Sequence, residues 1–223
     1  MDWIELLDEA TGRFAALLED GDLDTKVPTC PGWSLADLGD HLRRTHVWAA
    51  HAVSHRSPDG EPAPGSLGRD QLVPGYRAAA AHLLDVLVSA GPDAGAWTLG
   101  EPRTAGFWRR RQVHETTMHV YDALAAHSRD AEWHIAPELA WAGVDEVATM
   151  FYPRQVRLGR IDPLAGTLRL RADDVDAGPV DIGHGKPVAE LTGAASYLLR
   201  ALWKRAEVAD PVARKLLETR ITP

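Results

Sequence analysis

Two distant segments of this chain carry side chains that together can grip a divalent metal ion. One is Val27-Pro28-Thr29-Cys30-Pro31-Gly32-Trp33-Ser34, which leads into a helical pattern carrying His41; the other is His114-Glu115-Thr116-Thr117-Met118-His119. Two imidazoles and a carboxylate form a ligand set that can hold a divalent metal and leave coordination positions open for chemistry. Glu115 and His119 stand at i and i+4, so on a helix they share one face and can reach one ion. His114 lies about 140° around the same helix from His119 at 3.6 residues per turn, which takes it out of that grip.

The face that holds Glu115 and His119 also holds Trp108, Gln112 and Asp122. Buried acids and imidazoles need partners, and a cation satisfies both. On the earlier helix, His41 lies beside the apolar stripe of Leu35, Leu38, Leu42, Thr45 and Ala49, which points it toward the interior. Taken alone, Glu-x-x-x-His is more often a surface pair than a metal site. His51 and His55 form a rival i, i+4 pair, but they sit near a helix end beside an exposed loop and read as solvated. No partner base is evident for Cys30, which reads as a loop cysteine packed under Trp33.

The elements that must position these groups are helices. Trp3, Leu6, Leu7, Ala10, Phe14, Leu17 and Leu18 follow amphipathic three-four spacing, and Gly21-Asp22 ends that helix. Ser34 is the N-cap of a second helix, with Asp37 placed as in a capping box, and this helix runs to about His55. Residues 57–66 are rich in Pro and Gly and read as a loop. A third helix covers about 69–90 and a fourth about 107–127. Four helices of this length suggest a four-helix bundle, in which the second and fourth can present facing ligands.

After a further helix near Pro137–Met150 the texture changes. Thr167-Leu168-Arg169-Leu170-Arg171-Ala172 alternates like a half-buried strand, and Pro179–Ile182 supplies a partner. Leu191–Ala206 and Val212–Thr219 read as helices. The division is therefore a helical domain over 1–155 and a small α+β domain over 160–223.

At 223 residues the chain can bury a substantial core. Its net charge of −8 argues against a nucleic-acid or anionic-membrane partner. No apolar run has the length of a bilayer span. The start, Met1-Asp2-Trp3-Ile4-Glu5, is acidic and amphipathic, unlike a signal peptide, and the single Cys30 leaves no internal disulfide, so a cytoplasmic location is expected. The excess of Arg over Lys, with abundant Ala, points to a GC-rich genome such as an actinobacterium's.

The segment Val27 to Ser34, followed by Asp37-Leu38 and His41-Leu42, resembles the signature of the mycothiol-dependent maleylpyruvate isomerase family of DinB-like metalloproteins. Arg111 to His119 looks like that family's second signature, and Ala189-Glu190-Leu191-Thr192-Gly193 with Leu198-Leu199 and Leu202-Trp203 looks like its small C-terminal domain. The resemblance implies an α+β protein: a DinB-type four-helix bundle followed by a small α+β domain. It implies a zinc-type ion on His41, Glu115 and His119, with mycothiol as the thiol cosubstrate. The family often has Arg-Trp-Asp after the last ligand; here Val120-Tyr121-Asp122 keeps the acid and loses the base. The C-terminal domain also reads as short of a strand or two.

The expected chemistry is that of a metal-activated thiol acting on a small electrophile. The thiolate either adds reversibly to a cis alkene, isomerising it, or is transferred and stays attached. Asp122, one turn beyond His119, is a candidate group behind the ligands, and Arg205 is a candidate to bind a substrate carboxylate; these two are the expected catalytic residues. Arg109, Arg110, Arg111 and Lys204 are further cations near these segments. A non-haem iron triad, a non-catalytic metal- or ligand-binding protein, and a structural site closed by His46 or Cys30 are the rival readings. Exposed Trp and Leu fit either a monomer or a homodimer.

Overall fold

Three-four apolar spacing folds the first half of the chain into four long helices in the computed structural model, which describes residues 1–59 and 65–223. They are α1 (Trp3–Asp20), α2 (Leu35–Ser54), α3 (Arg69–Ala90) and α4 (Ala105–Ala126). Asp2 caps α1 by accepting from the Ile4 and Glu5 amides. Ser34 and Asp37 form the reciprocal capping box at the start of α2. Of the loop expected over 57–66, residues 60–64 lie outside the described residues.

Each of α1 and α2 packs against both α3 and α4, so α2 and α4 are neighbours in the bundle. The core is filled by Leu7, Phe14, Leu18, Leu38, Leu42, Tyr76, Leu83, Trp108 and Leu124, all essentially without solvent contact. Burying a side chain of this size stabilises by roughly 1.5–3 kcal/mol. Gly39 lets α2 approach its neighbours closely, because a Cβ there would stand 3.1 Å from Leu18 and 3.3 Å from Leu72.

The chain gathers into two compact units, Met1–Trp133 and His134–Pro223. In the second, α5 (Pro137–Glu146) runs through a π-helical segment at Val147–Phe151 into α6 (Tyr152–Arg157). Then come β1 (Thr167–Ala172), β2 (Val180–Ile182), β3 (Pro187–Gly193), α7 (Ala195–Leu202) and α8 (Pro211–Leu217). The strands lie in the order β2-β1-β3. β1 runs antiparallel to β2 and parallel to β3. On β1, Leu168 and Leu170 are buried, while Arg169 faces out and pairs with Asp181 directly opposite at 2.8 Å. α5, which the sequence reading placed at the end of the first domain, packs on α7 within the second unit.

The helix expected over Leu191–Ala206 is shorter than its apolar spacing suggests. Leu191–Gly193 finish β3, where β1 supplies backbone partners, and helix begins only at Ala195. Gly193, with φ of 159°, makes the change of direction. No helix among the described residues is long and apolar enough to cross a membrane.

Candidate metal centre

The adjacency of α2 and α4 brings His41, Glu115 and His119 together. One ligand atom from each lies within 4.8 Å of the others. His41 Nε2 and His119 Nε2 each stand 3.4 Å from the same oxygen, Glu115 Oε1. The two imidazole rings meet edge to face at 5.1 Å. Ligand atoms about 2.0–2.1 Å from a tetrahedral zinc-type ion are roughly 3.3–3.4 Å apart. The two spacings to Glu115 therefore match the edges of such a polyhedron. The His41 side chain is 35% exposed against 11% for His119, so the cluster opens to solvent on the His41 side. Trp33 lies against the His41 ring at 4.9 Å and orients it.

Behind His119 stands Asp122, whose side chain has no solvent contact. His119 Nδ1–H donates to Asp122 Oδ2 at 2.9 Å. That bond commits Nδ1 and leaves the lone pair of neutral Nε2 directed at the Glu115 carboxylate. A lone pair facing a carboxylate oxygen is repulsive unless a proton or a cation lies between. Asp122 also accepts from the Thr29 hydroxyl at 2.5 Å and from the Cys30 thiol at 3.5 Å. Cys30, His119 and Asp122 thus form a second close group. The 2.9 Å separation of His119 and Asp122 in that group is a hydrogen bond, too short for two ligands of one tetrahedral ion.

Arg111, one turn before Glu115 and almost fully buried, donates to Glu115 Oε2. One carboxylate oxygen is thereby held by a guanidinium while the other faces the two imidazoles. Burial opposes charge on Glu115, but Arg111 and the hydrogen bonds from His119 and His41 outweigh it and hold its carboxyl well below the usual range. Burial likewise opposes charge on His119, yet Asp122 and Glu115 together raise it to about 9. Without an ion, the proton on His119 occupies the place that a cation would take.

The structure assigns the other singled-out residues to different work. His46 Nδ1–H donates to Gln112 Oε1 at 2.8 Å and its Nε2 faces the Tyr76 hydroxyl at 3.5 Å, so it does not close the cluster. His114 packs edge to face on Trp3 at 5.6 Å. His51 and His55 stack at 4.1 Å at the end of α2. Arg109 donates to the Leu87 carbonyl at 2.6 Å, and Arg111 is committed to Glu115. Arg205, in the second unit, donates to the Trp203 carbonyl at 2.8 Å and lies 5.6 Å over the Trp203 ring. Sequence reasoning missed that Thr29 and Cys30 reach Asp122. The signal was present only as a short polar pair in a turn, far from α4 in the chain.

Fold and site together define a helical-bundle protein in which two imidazoles and a carboxylate converge between adjacent helices. A family model described as the mycothiol maleylpyruvate isomerase N-terminal domain matches residues 4–124, over half of the chain, and the protein belongs to that family. Among solved structures, the crystal structure of the mycothiol-dependent maleylpyruvate isomerase superposes with a TM-score of 0.65 at 12% identity, over 90% of this chain and 87% of that one. A histidine-to-alanine mutant of that isomerase gives a TM-score of 0.64 at 12% identity, over the same 90% and 87%. These overlays extend the fold match to most of the chain. No curated protein matches it.

Proposed function

We propose that this protein is a metal- and thiol-dependent enzyme acting on a small electrophile, with His41, Glu115 and His119 as the ligands of one zinc-type ion. The observation that carries this reading is the placement of two imidazole nitrogens 3.4 Å from one Glu115 oxygen while the far nitrogen of His119 is committed to Asp122. Such an ion, when bound, lowers the pKa of a thiol so that thiolate is present at neutral pH.

The chain's own groups supply the rest. Asp122 holds the His119 ring in one tautomer, and Arg111 holds Glu115 ionised with its other oxygen facing the two imidazoles. The exposed side of His41 leaves room for a thiol and a substrate to approach. Mycothiol is the thiol we favour, on family membership. The reaction is then either cis–trans isomerisation, through thiolate addition, bond rotation and thiol loss, or transfer of the thiol to the electrophile. We keep Arg205 as the candidate carboxylate-binding residue, because a guanidinium can hold a carboxylate bidentately; to do so it would have to exchange its present bond to the Trp203 carbonyl. A reducing, cytoplasmic setting, as a monomer or homodimer without nucleic-acid or membrane partners, fits this chemistry.

The test is elemental analysis of the purified protein beside His41→Ala and His119→Ala, followed by assay with mycothiol and maleylpyruvate or another cis-alkene electrophile. About one ion per chain, lost in both variants, with turnover that needs both ion and thiol, is the expected result. Metal binding without thiol-dependent turnover would make this a binding protein. A wild-type protein that takes up no ion would end the catalytic reading.

A further inference from the structure

The turn that precedes α2 does more than connect two helices. It is closed by its own backbone: Val27 N–H donates to Trp33 O at 3.0 Å, Cys30 N–H to Val27 O at 3.1 Å, and Trp33 N–H to Cys30 O at 3.0 Å. Gly32, at φ of 89°, supplies the left-handed residue that the closure requires. Outside the turn, Leu35 N–H donates to Thr25 O at 2.9 Å and Ala36 N–H to Leu23 O at 2.9 Å, which ties both of its stems together. Thr29 and Cys30 are therefore presented by a rigid frame.

Both point at a single target on α4. The Thr29 hydroxyl donates to Asp122 Oδ1 at 2.5 Å, and the Cys30 thiol donates to Asp122 Oδ2 at 3.5 Å. The same Oδ2 receives His119 Nδ1–H at 2.9 Å. The two carboxylate oxygens thus have divided work. Oδ1 is anchored by Thr29, and Oδ2 receives the imidazole together with the longer contact from Cys30. A carboxylate anchored at one oxygen cannot rotate about its Cβ–Cγ bond without breaking that bond, so the direction of the other oxygen is fixed. The Asp122 side chain itself has no solvent contact, so losing the Thr29 hydroxyl removes a partner from a buried carboxylate.

We infer that Thr29, assisted by Cys30, is a positioning residue for the His119 ligand, acting through Asp122. This rests on the reading of His119 as a metal ligand. The turn runs directly into α2, so one continuous segment supplies both His41 and the anchor that aims His119. Partners behind a ligating histidine set ring orientation and basicity, and their loss typically costs roughly 10–100-fold in metal affinity.

The experiment measures zinc affinity by competition with a chromophoric chelator. In the same preparations, proton NMR of the metal-free protein follows the downfield His119 Nδ1–H resonance that the Asp122 bond protects. The variants are Thr29→Val, Thr29→Ala, Thr29→Ser and Cys30→Ser, with His41→Ala as the control for the metal reading. Thr29→Val is expected to lose affinity measurably, up to the roughly 10–100-fold that losing a ligand's direct partner costs, and to lose or shift the resonance. Thr29→Ser, which keeps the hydroxyl, should recover both, and Cys30→Ser should stay near wild type. If Thr29→Val does not fold, Thr29→Ala decides on the same two readouts. A folded hydroxyl-less variant with wild-type affinity and an unchanged resonance overturns the inference. If wild-type protein binds no zinc, or His41→Ala binds it fully, the metal reading fails. The inference then fails with it as a statement about a ligand, and the resonance shows whether the Thr29 anchor on His119 survives as structure alone.

Discussion

His46 sits in the bundle core with no solvent contact, between Gln112 and Tyr76. Burial pushes its imidazolium down to about 4, against the raising effect of the Gln112 hydrogen bond. In the unfolded chain the same ring titrates near 6.5. Between these values the unfolded state binds more protons than the folded state, so the stabilising contribution is complete above 6.5 and is lost as the pH falls toward 4. The full loss is about 3 kcal/mol. Urea unfolding of wild type and His46→Gln at a series of pH values is the check: the wild type should lose about 3 kcal/mol more than the variant between pH 7 and 4. Parallel pH profiles would mean that the ring is not held neutral. Arg111 and Glu115 obey a different rule. Their charges are paired within the fold, so either one alone would be a buried charge without its partner, which costs several kcal/mol. That explains why a guanidinium adjacent to the candidate ligands is a support for Glu115.

At the scale of elements, the start of α2 matters most, because it fixes where His41 stands. Ser34 accepts from the Asp37 amide and Asp37 accepts from the Ser34 amide at 2.8 Å. Ser34→Ala should cost about 1 kcal/mol in thermal or urea unfolding, and a smaller change than a few tenths would show that tertiary contacts alone hold this helix end. Amphipathic helices with caps are locally determined, which is why α3 stands at Arg69–Ala90, where spacing and the Gly91 stop signal put it. β3 was not legible in that way. Leu191, Leu198, Leu199 and Leu202 continue a helical rhythm, and only the backbone partners of β1 turn Leu191–Gly193 into strand. A parallel pairing is a contact between separated segments, and no local pattern announces it.

At the scale of the whole molecule, the proposed site spans two helices that the chain reaches far apart in sequence. An ion bound there links α2 to α4 and is absent from the unfolded state, so it should stabilise the fold by mass action. With free zinc at about one hundred times its dissociation constant the gain is about 2.7 kcal/mol. That corresponds to roughly 5–10 °C in Tm for a chain of this size. Thermal melts with zinc and with a chelator should show this shift in wild type and not in His41→Ala. An equal shift in the variant would place the stabilising ion elsewhere.

Much of this protein was determined by sequence alone. The helical bundle followed from apolar spacing and caps, the family from two ordered motifs, and the pairing of Glu115 with His119 from their i, i+4 separation on one helix. These are local properties, carried by the backbone geometry of a single element. Only the tertiary structure decided which neighbours surround the candidate site. It set α2 beside α4, gave Arg111 to Glu115 and His46 to Gln112, and brought Thr29 and Cys30 onto Asp122. Of these, only the Arg111 pair lies within one helix. The other contacts join segments far apart in sequence, and they form because packing the core removes water from polar groups that must then find partners in each other.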